Sequence, residues 1–542
     1  MKLSGSDIIV RTLIEQGTDV VFGYPGGQVI NIYDSLYKYQ GELKHVLTAH
    51  EQGASHAADG YARATGKVGV CIATSGPGAL NLITGIATAY MDSIPLVCIT
   101  GQVNSDQLGK DVFQEADITG AVEPFSKYSY IVKDGSQIAR IFKEAFYLAG
   151  TGRPGPVVID VPTDIQNQTI DFEYPETISM RSYKPTVVGN ARQITRAAAA
   201  LKKAKRPLIV AGGGIFAAGA VEELNKLAAK SGIPVVTTLM GKGAVRDDDP
   251  YYMGMIGTHG VGSANQALAH ADALLIAGAR AGDRSIKDTG VIARDCTVIH
   301  LDIDPAEIGK NIAVDIPIVG DARQVLNALA EQVPYLCCED WLARLVDLRS
   351  RNSTRSLGSD EAYVNPKEFF LRLSEKAPDN AVLTADVGQN QIWAANYYKV
   401  KRGRFLTSGG MGTMGYAIPA AAGVQTADPS RTVMAVCGDG GFQMSMMELG
   451  TIAYYKLPVK IIVLNNHFLG MVKELQDRGF GRRETAVELG DKPDIAALAG
   501  CYNIPSKKLT SMAECDGAIQ WLLSTEGPCL LECLVHPDES TL

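Results

Sequence analysis

The chain has 542 residues, and at roughly 150 residues per domain that length predicts three to four domains. Hydrophobic residues make up 46% and charged residues 20%, a composition that excludes a largely disordered chain. Against 51 Lys plus Arg stand 59 Asp plus Glu, so the net charge is −8 and gives no electrostatic reason to bind nucleic acid. Strand-like apolar runs alternate with helix-like stretches along the whole chain. Val68–Thr74, Pro95–Gly101 and Val157–Val161 read as buried strands in the first third. Pro207–Ala211, Val235–Thr238, Ala273–Ala277 and Thr297–Asp302 repeat the pattern in the middle. Val382–Asp386, Thr432–Cys437, Val459–Leu464 and Cys529–Val535 repeat it at the end. Such runs between helices predict an α/β protein whose mostly parallel sheets are covered by helices on both faces. Asp171–Gly189 and the Ser-rich Arg349–Pro366 read as connectors, which gives three domains, about 1–170, 190–335 and 365–542.

The 56 glycines have no period, which excludes collagen, and they cluster in short loops after apolar runs, where phosphates are received. The ten cysteines are scattered without zinc-ribbon spacing, several inside apolar runs, and are expected to be buried free thiols in a reducing compartment. MKLSGSD at the start has no apolar signal core. Val68–Met91 is uncharged and long enough to span a bilayer. Ser75–Gly78 breaks it, and Asn81 and Thr84 add polar groups, so a strand, a tight loop and a buried helix are predicted. A cytoplasmic protein that binds neither membrane nor nucleic acid is expected.

The most specific motif lies in the last third. A strand ends in Gly438-Asp439-Gly440-Gly441, a helical stretch follows, and the next strand ends in Asn465-Asn466. Glycines after a strand let backbone N–H groups approach a phosphate. A carboxylate at one strand end and an amide at the next can share one hard cation, and Mg²⁺ takes oxygen ligands, phosphate oxygens among them. Near the N-terminus, His50-Glu51 follows a strand-like LKHVLTA and precedes a helical Gln52–Arg63. Taken alone, Glu51 is an acidic residue at a favourable helix start.

Together these motifs resemble thiamine-diphosphate enzymes. The resemblance implies that Asp439, Asn466 and the carbonyl of Phe468 hold Mg²⁺, and that Glu51 bonds the aminopyrimidine ring and so promotes loss of the thiazolium C2 proton. FGYPGG, EQGASHAADGYAR, ATSGPGALNLITGIATAYMDSIPLVCITGQV, FQEAD, GRPGPVVIDVPTDIQ, DVGQNQIWAA, SGGMGTMGYAIPAA and LNNHFLGMV tighten it to the acetohydroxyacid (acetolactate) synthase family over nearly the whole chain. That family implies pyrimidine-binding and diphosphate-binding domains around a Rossmann-like middle domain. It makes Glu51, Gln114 and Arg284 the catalytic candidates. The cofactor would be held by Pro25, Gly26, Thr74, Gly78 and Asn81 at one end. At the other stand Val387, Gly388, Gln389, Gly412, Gly438–Gly441, Asn466, Phe468, Leu469, Gly470 and Met471, with Met414 as the wedge that bends it. Because the two ends come from different subunits in the family, a homodimer or a dimer of dimers is implied, with a separate regulatory subunit as a further partner.

In the middle third, Gly212, Gly214 and Ala217 form a short G-x-G-x-x-A match after a strand. The family carries FAD there without redox use. The matching positions are Arg153, Gly212–Gly214, Thr238, Leu239, Met240, His259, Gly278, Arg280, Asp302, Ile303 and Asp321. The substrate pocket would take in Gly27, Phe113, Lys127, Thr163, Thr258 and Leu475. Three of these depart from the family. Thr163 replaces a lysine, Thr258 a methionine and Leu475 the tryptophan that favours 2-oxobutyrate over pyruvate as acceptor. Arg284 survives as the last residue of Arg280-Ala281-Gly282-Asp283-Arg284 and would meet the substrate carboxylate.

Three readings follow. The first is a carboligase: pyruvate loses carbon dioxide on the cofactor, and the hydroxyethyl carbanion adds to a second carbonyl compound, giving 2-acetolactate when that compound is pyruvate. The second is a plain 2-oxoacid decarboxylase, or a synthase with another aldehyde or ketone acceptor. The third is a flavin- or nucleotide-binding protein without turnover.

Overall fold

A strand that is apolar on both faces needs helices on both sides, and the chain meets that need in three successive sheets. The computed structural model describes residues 1–286, 289–351 and 362–541. β1 (Lys2–Ser4) opens the chain. The first sheet takes β2 (Val20–Tyr24), β3 (Lys44–Leu47), β4 (Gly69–Ala73), β5 (Leu96–Gln102), β6 (Tyr128–Ile131) and β7 (Pro156–Pro162). β8 (Thr169–Asp171) then returns to pair antiparallel with β1. The second takes β9 (Pro207–Ala211), β10 (Val235–Thr237), β11 (Tyr252–Met255), β12 (Ala273–Ala277), β13 (Thr297–Asp302) and β14 (Ile316–Val319). The third takes β15 (Val382–Ala385), β16 (Arg404–Thr407), β17 (Val433–Gly438), β18 (Lys460–Asn465), β19 (Ser506–Leu509) and β20 (Cys529–Leu534). All three sheets are parallel; the eleven strands read with stated ends are present, shifted by at most one residue, and the strand-like LKHVLTA contains β3.

The first sheet runs β3-β2-β4-β5-β7-β6 and the third β16-β15-β17-β18-β20-β19. Counted within each sheet, both orders are 2-1-3-4-6-5. The second runs β11-β10-β9-β12-β13-β14, or 3-2-1-4-5-6, the dinucleotide-binding order. In open α/β sheets ligands bind beyond the carboxyl ends of strands where the order reverses. Those points lie between β2 and β4, between β9 and β12, and between β15 and β17.

The outer sheets are joined by two helices rich in small residues, Glu51–Thr65 and Ala417–Ala427. Their backbones touch. A Cβ on Gly60 would lie 2.2 Å from the Ala420 carbonyl oxygen, and one on Gly423 1.9 Å from that of Ala57. Any larger residue would push the helices apart and move Glu51 with them.

Val68–Met91 folds as predicted: β4, a turn, and the helices Pro77–Asn81 and Ile83–Asp92. Among the described residues no helix is long and apolar enough to cross a membrane. After Asp171 the chain has no helix or strand until Ala191. The second predicted connector is only in part irregular. Arg349 and Ser350 close the helix Glu339–Ser350, Pro366 opens Pro366–Lys376, and 352–361 lie outside the described residues. The expectation that the cysteines are buried is corrected at two positions: Cys337 and Cys501 are exposed, the other eight buried, and all ten are free thiols.

Candidate active site

At the first reversal point the loops after β2 and β4 interlock. The Gln28 N–H donates to Thr74 Oγ1 at 3.1 Å, and Gly26 lies so close that a Cβ would be 2.5 Å from Thr74 Cγ2. Pro25 and Gly27 are exposed on the same loop. Glu51 begins its helix, where a carboxylate suits the positive helix end. His50 caps that helix by accepting from the Gln52 N–H, and Glu448, which opens the helix Glu448–Tyr454 after β17, accepts from the Ala49 and His50 N–H groups at 3.1–3.2 Å. Asn81 Nδ2 donates to Glu51 Oε2 at 3.0 Å, while Glu51 Oε1 faces Gly78, whose Cβ would be 3.1 Å away. One carboxylate oxygen is thus fixed and the other left over a residue without a side chain. Gln114 holds a left-handed φ of 59° and packs on Gly76.

The pocket candidates of this sheet scatter. Phe113 is 83% exposed. Thr163 Oγ1 donates to Gln28 Oε1 at 2.5 Å and to the Gln102 carbonyl at 2.9 Å, so it is spent on the loop. Lys127 stands apart from the others. Its Nζ donates to the carbonyls of Leu148 and Thr151 and to the Tyr183 hydroxyl, and burial with the nearby Arg153 charge pushes it down to about 8.

At the third reversal point Asp439 opens the helix Asp439–Ser445, 6% exposed. Its Oδ1 accepts from the Gly440 N–H at 2.9 Å, and its buried Oδ2 has no hydrogen-bond partner among the described residues. Burial pushes this carboxyl up to about 6. A buried acceptor without a donor is costly, so an orphan of this kind calls for a cation. Asn466 Oδ1 accepts from the Phe468 N–H at 3.1 Å, and its Nδ2 donates to Gln389 Oε1 at 3.0 Å. The glycines leave no room for side chains. A Cβ on Gly440 would lie 2.7 Å from Leu469 Cδ2 and 3.3 Å from Met414 Cε, one on Gly441 2.9 Å from Asp386 Cγ, and one on Gly470 2.0 Å from Gln389 Oε1. Gly438 ends β17 and Met471 follows Gly470 on the helix Gly470–Phe480, which also carries Leu475, 59% exposed.

At the second reversal point lies a cavity of about 1330 Å³, above the ~300–1,000 Å³ of ordinary small-molecule pockets. Arg153, Gly213, Gly214, Thr238, Leu239, Met240, His259, Gly278, Arg280, Asp302, Ile303 and Asp321 line it. Gly212 lies just behind, where a Cβ would be 2.2 Å from the Gly278 carbonyl oxygen. Arg284, Val387, Gly388, Gly412 and Met471 line the same cavity, which joins it to the third sheet's loops. Thr258 ties its N–H to the Arg284 carbonyl at 3.1 Å. Arg153 pairs with Glu307 at 2.7 Å, but Arg280 and Arg284 have no carboxylate within ion-pair distance among the described residues.

Sequence reasoning missed three carboxylates. Asp386, wholly buried and pushed up to about 7 by burial, accepts from the Val387 and Gly415 N–H groups behind Gly441. Glu448 supports the turn before Glu51, and Glu474 bonds Gln389. Asp386 was signalled by its place at a strand end before Val387-Gly388; the other two act across 399 and 85 residues of sequence and carry no local signal.

Two glycine-lined half-sites with one carboxylate each, flanking a dinucleotide-type sheet, define a class, and the domain families agree. Residues 3–121 match the thiamine pyrophosphate enzyme N-terminal TPP binding domain, 194–329 the central domain and 386–533 the C-terminal TPP binding domain. The chain is 45% identical to acetolactate synthase isozyme 3 large subunit of Escherichia coli (strain K12), over 92% of this chain and 88% of the relative. It is 44% identical to acetolactate synthase of Arthrospira platensis, over 99% and 95%, and 44% identical to acetolactate synthase large subunit of Corynebacterium glutamicum, over 99% and 87%. The chain belongs to the acetolactate synthase large-subunit family of thiamine-pyrophosphate-dependent enzymes.

Proposed function

We propose that the enzyme decarboxylates pyruvate and joins the remaining two carbons to a second pyruvate. Two three-carbon acids then give one five-carbon acid, 2-acetolactate, and carbon dioxide. The observation that carries this reading is the pair of half-sites: Glu51 with one oxygen fixed by Asn81 and one free, and Asp439 with a buried oxygen that lacks a partner.

Thiamine diphosphate, when bound, supplies the carbanion chemistry. Glu51 Oε1, left over Gly78, would be the acceptor for the aminopyrimidine ring and would hold the proton that activation requires. Asp439 Oδ2, Asn466 Oδ1 and the Phe468 carbonyl would hold Mg²⁺. Among the described residues no group of three His, Cys, Asp or Glu forms a metal cluster, which suits a cation that keeps phosphate oxygens as ligands. Gly26, Gly27 and Gln114 would face the reactive carbon, and Met414, packed beside Gly440, would be the wedge that bends the cofactor. Arg284, without a carboxylate partner among the described residues, offers the bidentate donor that a 2-oxoacid needs.

FAD fits the central cavity. Its volume exceeds that of ordinary pockets, and Gly214 and Gly278 approach so closely that a Cβ on Gly214 would lie 2.7 Å from Gly278 Cα. Arg280, which has no ion pair among the described residues, offers its charge to a diphosphate. No redox step is assigned to it.

Two copies are needed to complete a centre. Among the described residues no hydrogen bond joins Glu51, Asn81 or Gly78 to Asp439, Asn466 or Gln389. Exposed apolar side chains stand beside both half-sites: Tyr24, Leu80 and Phe113 at one, Met444, Val472 and Leu475 at the other. Such surface suits a partner. Two of the relatives are large subunits, which supports a separate regulatory subunit here. We place the domain limits near 1–170, 190–335 and 365–542. The test is incubation with pyruvate, thiamine diphosphate and Mg²⁺, followed by identification of the product. Acetolactate is expected; acetaldehyde alone would assign a plain decarboxylase instead.

A further inference from the structure

Gln389 has no free polar side-chain atom. Its Oε1 accepts from Asn466 Nδ2 at 3.0 Å, and its Nε2 donates to Glu474 Oε2 at 3.1 Å and to the Glu539 carbonyl at 2.8 Å. An amide whose two ends are both engaged in this way acts on its neighbours.

Glu474 sits in a nest of donors. Its oxygens accept from Ser540 Oγ at 2.8 Å, from the Thr541 N–H and hydroxyl at 3.0–3.3 Å, and from Arg478. Burial pushes its carboxyl up, but the Gln389 amide, Ser540, the Arg478 charge and Thr541 outweigh that and hold it below the ordinary range. An ionised carboxylate only accepts. The Gln389 NH₂ must therefore turn toward Glu474, which turns its oxygen toward Asn466. The Asn466 NH₂ must in turn face Gln389, which leaves its Oδ1 on the side of the Phe468 N–H and the cation position.

We propose that Glu474 is a positioning residue for the metal site, one that sets the direction of two successive amides, Gln389 and Asn466, so that the Asn466 oxygen faces the cation. The inference rests on the reading of Asp439 and Asn466 as Mg²⁺ ligands. Partners one bond removed from a metal ligand typically cost ~10–100-fold in affinity when lost.

The test is calorimetric titration of Mg²⁺ into the full-length protein with thiamine diphosphate present, with thermal melts to check folding. Glu474→Leu is expected to weaken Mg²⁺ by ~10–100-fold, whereas Glu474→Gln, which keeps an acceptor oxygen, retains most of the affinity. Gln389→Leu breaks the same relay in its middle and stands in if Glu474→Leu fails to fold. Asp538→Asn loosens the same C-terminal segment by removing its 2.6 Å pair with Lys473 but leaves the relay whole, so unchanged affinity is expected. A loss there equal to that of Glu474→Leu overturns the relay in favour of segment anchoring. Wild-type affinity in Glu474→Leu, with loss in Asp439→Ala, overturns the relay alone. Wild-type affinity in Asp439→Ala overturns the metal reading and the relay with it.

Discussion

The first and third sheets share one strand order, and both open a crevice at the same reversal, yet they present different chemistry there. At the first, the loops after β2 and β4 are neutral, and the charge arrives from Glu51 beyond β3, outside the reversal itself. At the third, Asp439 stands in the loop directly after β17. Each carboxylate has one oxygen satisfied, by Asn81 in one case and by the Gly440 N–H in the other. The second oxygen differs: Glu51 Oε1 lies over Gly78, whereas Asp439 Oδ2 is buried and alone. Topology thus supplies a place, and in the proposed function the loop sequence decides whether that place would move a proton or hold a cation. The middle sheet makes the same point with another order: there glycines open the space, and Arg153, Arg280, Asp302 and Asp321 line it.

The sharpest way to break this contrast is Glu51→Gln. A neutral amide keeps the Asn81 contact in shape but cannot take a proton, so C2 proton exchange on bound cofactor should slow by ~10²–10⁴-fold, the usual worth of acid–base assistance. NMR follows the exchange, and a wild-type rate would assign activation to another group. Gly53→Ala attacks the support of Glu51 rather than its chemistry. A Cβ there would be 2.0 Å from Glu448 Oε1, so overpacking should cost ~1–3 kcal/mol of stability by denaturant titration. An unchanged midpoint would mean that Glu448 can move aside without loss.

The other half-site should respond to pH. Burial raises Asp439 to about 6, and Mg²⁺ takes the ionised form, so affinity should fall about tenfold per unit below that value and be flat above it. The stability of the metal-free protein runs the opposite way. A carboxyl raised by burial stabilises the fold fully below its ordinary value, and that contribution is lost as pH rises through about 6 for Asp439 and about 7 for Asp386 and Asp160. Melting curves of metal-free protein between pH 4 and 8 check it; a rise in stability with pH would contradict the assignment. The smallest effect concerns Leu475. It is smaller than the family's tryptophan and 59% exposed, so in a mixture of pyruvate and 2-oxobutyrate the product ratio should stay below the roughly tenfold that one apolar contact can give. A larger ratio would show that another residue does the tryptophan's work.

The sequence made eleven of the twelve central strands legible because burial on both faces leaves a continuous apolar run; β2 (VVFGY) was the exception, seen only in part within the FGYPGG motif. Edge strands have one neighbour and read poorly: β6 (YSYI), β16 (RFLT) and β19 (SKKL) were all missed, and of the six edges only β3 was read. Asp439, Asn466 and Glu51 stand at the strand and helix ends where their motifs were read, and their roles belong to the proposed function. Lys127 was not legible: its type and place matched the family, but only the fold brings the Leu148 and Thr151 carbonyls around it. Glu448 and Glu474 needed contacts between distant segments that no local pattern encodes.

The division of one centre between two chains can be measured by co-expressing Glu51→Gln and Asp439→Ala, each expected to be nearly inactive alone. In a mixed dimer one centre carries both changes and the other neither. Random pairing makes half the dimers mixed, so about a quarter of wild-type acetolactate formation should return. Activity no higher than that of the better single variant would contradict it and place both half-sites of each centre in the same chain.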